Sequence, residues 1–242
     1  MNWISGSRNL FLSAMPEWER ALLAPMLKPV ELRQREVLAE PGQLVSNLLF
    51  LESGMISLLT TMQDGSSIES ATLGREAVFG ALSGLGAHRA NTRAIVQIAG
   101  RAHLVRGGDF REVLERAPPL RNLVLLSSEL TLVQTQQTAA CNALHSVERR
   151  FSRWILQVRD RTDSDEIELT HDFVAQMLAV RRPTVSLIAQ ELQSAGLIRY
   201  SRGRITILDR EGLEQVSCEC VGVLRAKTRA ILGLLANGNE RE

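Results

Sequence analysis

The chain has 242 residues, of which 45% are hydrophobic and 23% charged. This is the profile of an ordinary globular protein with room for one large core or two smaller ones. With 28 basic and 27 acidic residues the net charge is only +1, which excludes a generally cationic protein and leaves nucleic-acid binding to a local patch.

The first segment, "MPEWERALLAPML", reads as a short amphipathic helix. The opening residues have neither the basic start nor the apolar centre of a secretory signal, and no run approaches the roughly 18 apolar residues of a membrane span. No membrane association is expected. Three cysteines, Cys141, Cys218 and Cys220, form no disulfide framework and suit a reducing, cytoplasmic setting.

From about Pro29 to Arg106 short apolar runs alternate with turn signals. Gly42, Gly54, Gly74 and Gly80 punctuate them, and Asp64-Gly65 has the chemistry of a hairpin turn. Many short strands at this spacing predict a small barrel or jelly roll. A helix over "GGDFREVLERAP" follows and stops at Pro118-Pro119. Beyond it Leu123, Leu126, Leu130, Val133, Gln137, Ala140, Leu144 and Val147 recur in alternating steps of three and four. That is the a/d seam of a two-stranded coiled coil, with Gln137 its one polar member. A dimer seam is expected; a helix buried in its own domain gives the same pattern.

The richest segment is "ELTHDFVAQMLAVRRPTVSLIAQELQSAGLIRYSRGRITIL". Thr170 can cap a helix, with Asp172 in its first turn. A turn at Ala179-Val180 leads to a second helix from about Arg182, where Pro183 is tolerated because first-turn amides have no helical partner. At 100° per residue Val185, Ile188, Ala189 and Leu192 share an inner face, while Pro183, Leu187, Gln190 and Ser194 lie opposite. Gly203 then turns a hairpin carrying Arg199, Arg202 and Arg204. Arg181 to Arg204 holds five arginines and one acidic residue. A helix with a small, mostly uncharged outer face edged by arginine fits a major groove. Arg182 is the candidate for a bidentate guanine contact. Thr170, His171, Arg181 and Thr184 are placed for phosphates, and Ser186, Leu187 and Gln190 complete the groove-facing set.

This segment resembles the winged helix-turn-helix of the Crp/Fnr family of bacterial transcription regulators. "LLFLESGMISLL" with the Asp64-Gly65 turn resembles the opening of that family's cyclic-nucleotide-binding-like β-roll, and the long helix resembles its dimerisation helix. The resemblance implies an α+β chain: a sensor domain over residues 1–117, a dimerisation helix over 118–147 and a DNA-binding domain over 148–242. It also implies double-stranded DNA, a second copy of the chain and RNA polymerase as partners. Members that bind cyclic AMP hold its ribose with a Glu after a Gly and its phosphate with an Arg-Ser pair. Here Ala81 follows Gly80, and His88-Arg89 stands near the pair, with Arg93 just beyond, so cyclic AMP is not expected to bind in the usual way. The recognition-helix positions that carry a Glu and a second Arg in those members are Pro183 and Leu187 here, which implies a different operator.

No cysteine precedes Cys141, which excludes an N-terminal iron–sulfur cluster. Cys218 and Cys220, placed two apart on one helix, would face apart, and His88, His103, His145 and His171 lack ligand spacing. No metal or cofactor is predicted, and the effector is left open. Without a phosphate loop, a G-x-S-x-G or a ligand cluster, an enzyme is not expected. The remaining alternative is a ligand-binding signalling module acting through protein contacts, which would have no need of a basic wing.

Overall fold

A computed structural model describes residues 6–237. After helices α1 (Leu10–Ala14) and α2 (Glu17–Leu23), ten strands build the first domain. They are β1 (Lys28–Leu32), β2 (Val37–Ala39), β3 (Leu44–Val45), β4 (Asn47–Leu51), β5 (Met55–Thr61), β6 (Ser67–Leu73), β7 (Val78–Phe79), β8 (His88–Arg89), β9 (Arg93–Ile98) and β10 (Gly100–Arg106). Two four-stranded antiparallel sheets, ordered β1-β10-β4-β7 and β2-β9-β5-β6, face each other, and β3 pairs with β8 at one end. This is the jelly-roll solution to the alternating pattern. The β5–β6 hairpin turns at Asp64-Gly65 as expected, with Gly65 at φ +84°. Leu49, Leu51, Ile56, Leu73, Val96 and Ala102 fill the space between the sheets.

Helix α3 (Gly107–Arg116) leads through Pro118-Pro119 to α4 (Leu120–Leu144). Helix α4 is shorter than expected. Ser146 starts a new helix, α5 (Val147–Thr162), by accepting a hydrogen bond from the Arg149 N–H at 3.4 Å. Val147 therefore lies on a different helix from the seven other seam residues. Those seven also divide among environments. Leu123 and Leu130 are buried in the chain's own core. Leu126 and Val133 pack beside them near Ile231 and Leu232, on the flank covered by the last helix, α9 (Cys220–Asn237). Ala140 and Leu144 are exposed. The solvent-facing stripe is instead Leu125, Leu132, Ala139 and Ala143; Leu125 and Leu132 are each 56% exposed.

The C-terminal domain follows as β11 (Glu166–Glu168), α6 (His171–Leu178), α7 (Arg182–Ser194), β12 (Ile198–Ser201), β13 (Arg204–Ile207) and α8 (Arg210–Val216). Its core joins Phe151, Trp154 and Ile155 of α5 to Val174, Val185, Ile188, Leu192, Ile198 and Ile205, and it reaches Met55 and Leu59 of the first domain. Polar links reinforce that junction. Arg161 pairs with Glu76 at 2.6 Å, Arg75 with Asp163 at 2.7 Å, and Gln176 donates to Ser67. No helix among the described residues is long and apolar enough to cross a membrane.

Candidate DNA interface and effector cavity

The two helices of the C-terminal domain are set by local chemistry. Thr170 Oγ1 accepts the Phe173 N–H and starts α6. Ala179, at φ +51° and ψ +49°, ends it in a left-handed turn. Arg181 and Pro183 then open α7. Val185, Ile188, Ala189 and Leu192 are buried, while Pro183, Leu187, Gln190, Glu191 and Ser194 face solvent. Leu187 is 58% exposed. An apolar side chain held out on a recognition helix is what a thymine methyl contact requires.

The cations around this face divide into two groups. Arg181, Arg199 and Arg202 are exposed and form no ion pair among the described residues. Arg182 is 67% exposed and only loosely near Asp172 at 3.5 Å, so it is free to turn toward a ligand. Arg202 and Gly203 sit at φ +50° and +77° in a two-residue hairpin turn, which projects Arg202 from the tip of the wing. Arg204 differs from the expectation. It bridges Glu166 at 3.3 Å and Glu168 at 2.9 Å across the β11–β13 pair, so its charge is largely matched within the wing sheet.

His171 also differs. Its ring stacks on Tyr200 at 3.9 Å, and its Nδ1 lies 2.8 Å from Ser186 Oγ. Burial, aided by nearby Arg182, pushes its pKa below the usual histidine value. His171 and Ser186 thus brace α6 and α7 against the wing; a neutral, half-buried ring is a poor phosphate ligand. Thr184 is half-buried and Thr170 exposed beside the wing.

A cavity of about 320 Å³ opens in the β-roll against α4. Gly80, Ala81 and His88 line it; Arg89 and Arg93 do not. The Arg89 guanidinium donates to Gly42 O at 2.7 Å, and Arg93 lies 3.3 Å from Glu40. The lining contains no lysine, arginine or carboxylate, so an enclosed phosphate would lack a countercharge, which costs several kcal/mol. The polar lining is mostly hydroxyl, and much of it comes from α4. Ser128, Thr131 and Thr135 donate to α4 carbonyls at 2.8, 3.0 and 2.9 Å, and Ser70 donates to Leu58 O. Their lone pairs are what remains for a ligand. Gly80 is needed here, since at φ +71° a Cβ would stand 2.2 Å from Asn47 O.

Where no metal ligands were expected, the structure gathers four. Cys218 precedes α9 in a loop rather than sharing a helix with Cys220, so both thiols turn toward Cys141. The donor atoms of Cys141, His145, Cys218 and Cys220 all lie within 4.8 Å of one another. The available signal was a C-x-x-x-H at the end of α4 together with a distant C-x-C.

Comparison with known proteins agrees with this architecture. The profile of the cyclic nucleotide-binding domain matches residues 29–117, and that of the Crp-like helix-turn-helix domain matches residues 149–216. A global nitrogen regulator of Synechococcus elongatus is 24% identical over 184 residues, covering 72% of this chain and 83% of that one. The solved structure of FixK2 from Bradyrhizobium japonicum superposes with a TM-score of 0.67 at 15% identity, covering 79% of this chain and 98% of its own. A CRP-family transcriptional regulator from Thermus thermophilus gives 0.61 at 21% identity, with 78% and 96% covered. With a β-roll, a long connecting helix and a winged helix-turn-helix in one order, this chain belongs to the Crp/Fnr family of DNA-binding transcription regulators.

Proposed function

We propose that the chain acts in the cytoplasm as a homodimeric, sequence-specific regulator that binds an inverted-repeat operator, adjusts its action to a small uncharged effector in the β-roll cavity, and works on transcription through RNA polymerase. The observation that carries this is the outer face of α7. An uncharged strip headed by Leu187 and Gln190 lies between the unpaired cations Arg181, Arg199 and Arg202, the arrangement of a base-reading helix flanked by phosphate contacts. Dimerisation is supported by the exposed stripe of Leu125, Leu132 and Ala139, spaced at sevens on the face of α4 opposite the protomer's core. Two recognition helices related by such an axis reach half-sites about 34 Å apart, roughly 10 base pairs.

The cavity favours a ligand that donates hydrogen bonds to hydroxyl lone pairs and carries no phosphate, because His88 is its one ionisable lining residue. Selection of bound duplexes from a random pool, repeated over a salt series, tests the DNA reading. An enriched inverted repeat is expected; recovery of unenriched pool sequences at every salt concentration refutes it. Calorimetric titration with cyclic AMP at micromolar protein should give no saturable heat, and a micromolar dissociation constant overturns the effector reading.

A further inference from the structure

The cysteine cluster belongs to neither the DNA face nor the effector cavity. We propose that Cys141, His145, Cys218 and Cys220 form a tetrahedral site for one zinc-class divalent ion, which pins the end of α4 to the start of α9.

The distances fit one ion. Zn–S bonds of about 2.3 Å and Zn–N bonds of about 2.0–2.1 Å set tetrahedral edges of about 3.8 Å for S···S and about 3.6 Å for S···N. Cys141 Sγ lies 3.6 Å from Cys218 Sγ, and Cys220 Sγ lies 3.6 Å from His145 Nδ1. Such spacing is too long for a disulfide. It is too tight for an iron–sulfur cluster, whose bridging sulfides spread the protein ligands around several irons. A three-sulfur, one-imidazole donor set selects zinc among the common ions.

The surroundings suit a charged site and not an apolar one. The cysteines are at most 2% exposed, yet they form a cluster of their own and join none of the larger apolar clusters. His145 Nε2 lies 3.2 Å from Glu219 Oε1, so a carboxylate orients the ring from its far side, as in many zinc sites. Gln137 donates to Cys220 Sγ at 3.1 Å. Arg150 and Arg153 of α5 are buried, and neither pairs with a carboxylate among the described residues. The Nε of each has no hydrogen-bond partner, while both guanidinium groups act through space on Cys141. Three thiolates on a divalent ion carry a net charge of −1, which these cations would offset.

The ligands lie at the α4–α5 break and the α8–α9 junction, with Cys141 and Cys218 77 residues apart. One ion would therefore fix how the DNA-binding domain leaves the dimerisation helix. This inference does not depend on operator binding, and its test involves no DNA. The full chain, reduced and stripped with a chelator, is titrated with Co²⁺ and then with Zn²⁺. Expected are one Co²⁺ per chain, the intense visible bands of a tetrahedral thiolate site, and displacement by one equivalent of Zn²⁺. Cys220→Ser and His145→Ala should each weaken Co²⁺ binding at least tenfold. Should either fail to fold, Glu219→Gln, on an exposed side chain, should still weaken it about 10- to 100-fold. Three results overturn the proposal: no tetrahedral spectrum at micromolar Co²⁺, a spectrum unchanged in all the variants, or iron with acid-labile sulfide in the protein as isolated.

Discussion

Glu69 should make the stability of this protein fall between about pH 4.5 and pH 7. It sits on β6 facing α5, where Trp154 Nε1 donates to its Oε1 at 3.0 Å and Ser57 Oγ lies 2.6 Å from its Oε2. Burial raises its pKa from 4.5 to about 7, outweighing those hydrogen bonds and the charges of Arg153 and Arg161. The folded state therefore binds the proton more tightly than the unfolded chain. Below pH 4.5 both states are protonated and nothing is lost. As pH rises the unfolded carboxyl ionises first, and the loss is complete once pH passes the folded value. A shift of about 2.5 units corresponds to about 3 kcal/mol, of which about 2.5 kcal/mol falls between pH 5 and pH 8. Glu69→Gln keeps the shape and an acceptor for Trp154 but cannot ionise. Urea unfolding of both proteins from pH 5 to pH 8 should show the stability difference, variant minus parent, growing by that amount. Trp154 fluorescence in the parent should titrate over the same range. Parallel stability curves would refute the claim that burial keeps Glu69 protonated in the folded protein well above its ordinary range.

Further outcomes are expected for the DNA face, the α4 stripe and the β-roll. Arg182→Ala should cost roughly 1–3 kcal/mol per half-site on the selected operator and relax preference at one position. Arg202→Ala should weaken all duplexes alike and lower the salt slope by about 1 per subunit; anisotropy titrations across a salt series compare them, and a sequence-specific defect in Arg202→Ala alone reverses the roles. Leu125→Glu with Leu132→Glu should give a folded monomer in sedimentation, whereas Leu130→Glu, which charges the protomer's own core, should lose its cooperative thermal transition. Gly80→Ala combines a left-handed backbone, about 1–2 kcal/mol, with a Cβ 2.2 Å from a carbonyl oxygen, so its thermal midpoint should drop by several degrees; an unchanged midpoint would mean that the β4–β7 region relaxes freely.

What the sequence disclosed follows the range of the interactions involved. The helix-turn-helix was legible almost residue by residue, because capping by Thr170, the break at Ala179 and the inward face of α7 are decided within a few residues. The jelly roll was legible as a class through its turns, as at Asp64-Gly65. The register of α4 was not. "LVLLSSELTLV" is apolar on more than one side, so a heptad can be drawn through Leu123 and Leu130 as easily as through Leu125 and Leu132. Only packing against the β-roll and α9 assigns the faces. The end of α4 was readable in principle, since Ser146 followed by Glu148 is a helix-start signal, but the apparent seam ran across it. The thiol cluster was least legible, because its halves are 77 residues apart and Cys218 lies just outside a helix that begins only at Cys220.

Helix α4 is where these features meet, and its two ends serve different tasks. Thr131 and Thr135 face the cavity, and between them Gln134 Nε2 bonds Thr72 Oγ1 at 2.6 Å. Thr72 lies on β6, the strand that also carries Glu69 against Trp154. A ligand that moved this stretch of α4 relative to β6 would act on the strand against which the DNA-binding domain is docked. Toward the far end the same helix carries Cys141, three residues before its last residue, Leu144, and the break that releases α5. Coupling between cavity and DNA face needs an element with two arrangements, not a path of contacts alone. The α4–α5 break would be such an element only if α5 left it at two angles; Ser146 caps α5 independently of α4. The docking bonds of Glu69 and Arg161 favour the orientation seen here, and an ion bound by the four ligands would stiffen the break itself. Effector, proton and metal would then bear on one hinge from three sides, and the Glu69→Gln and Cys220→Ser variants separate the second contribution from the third.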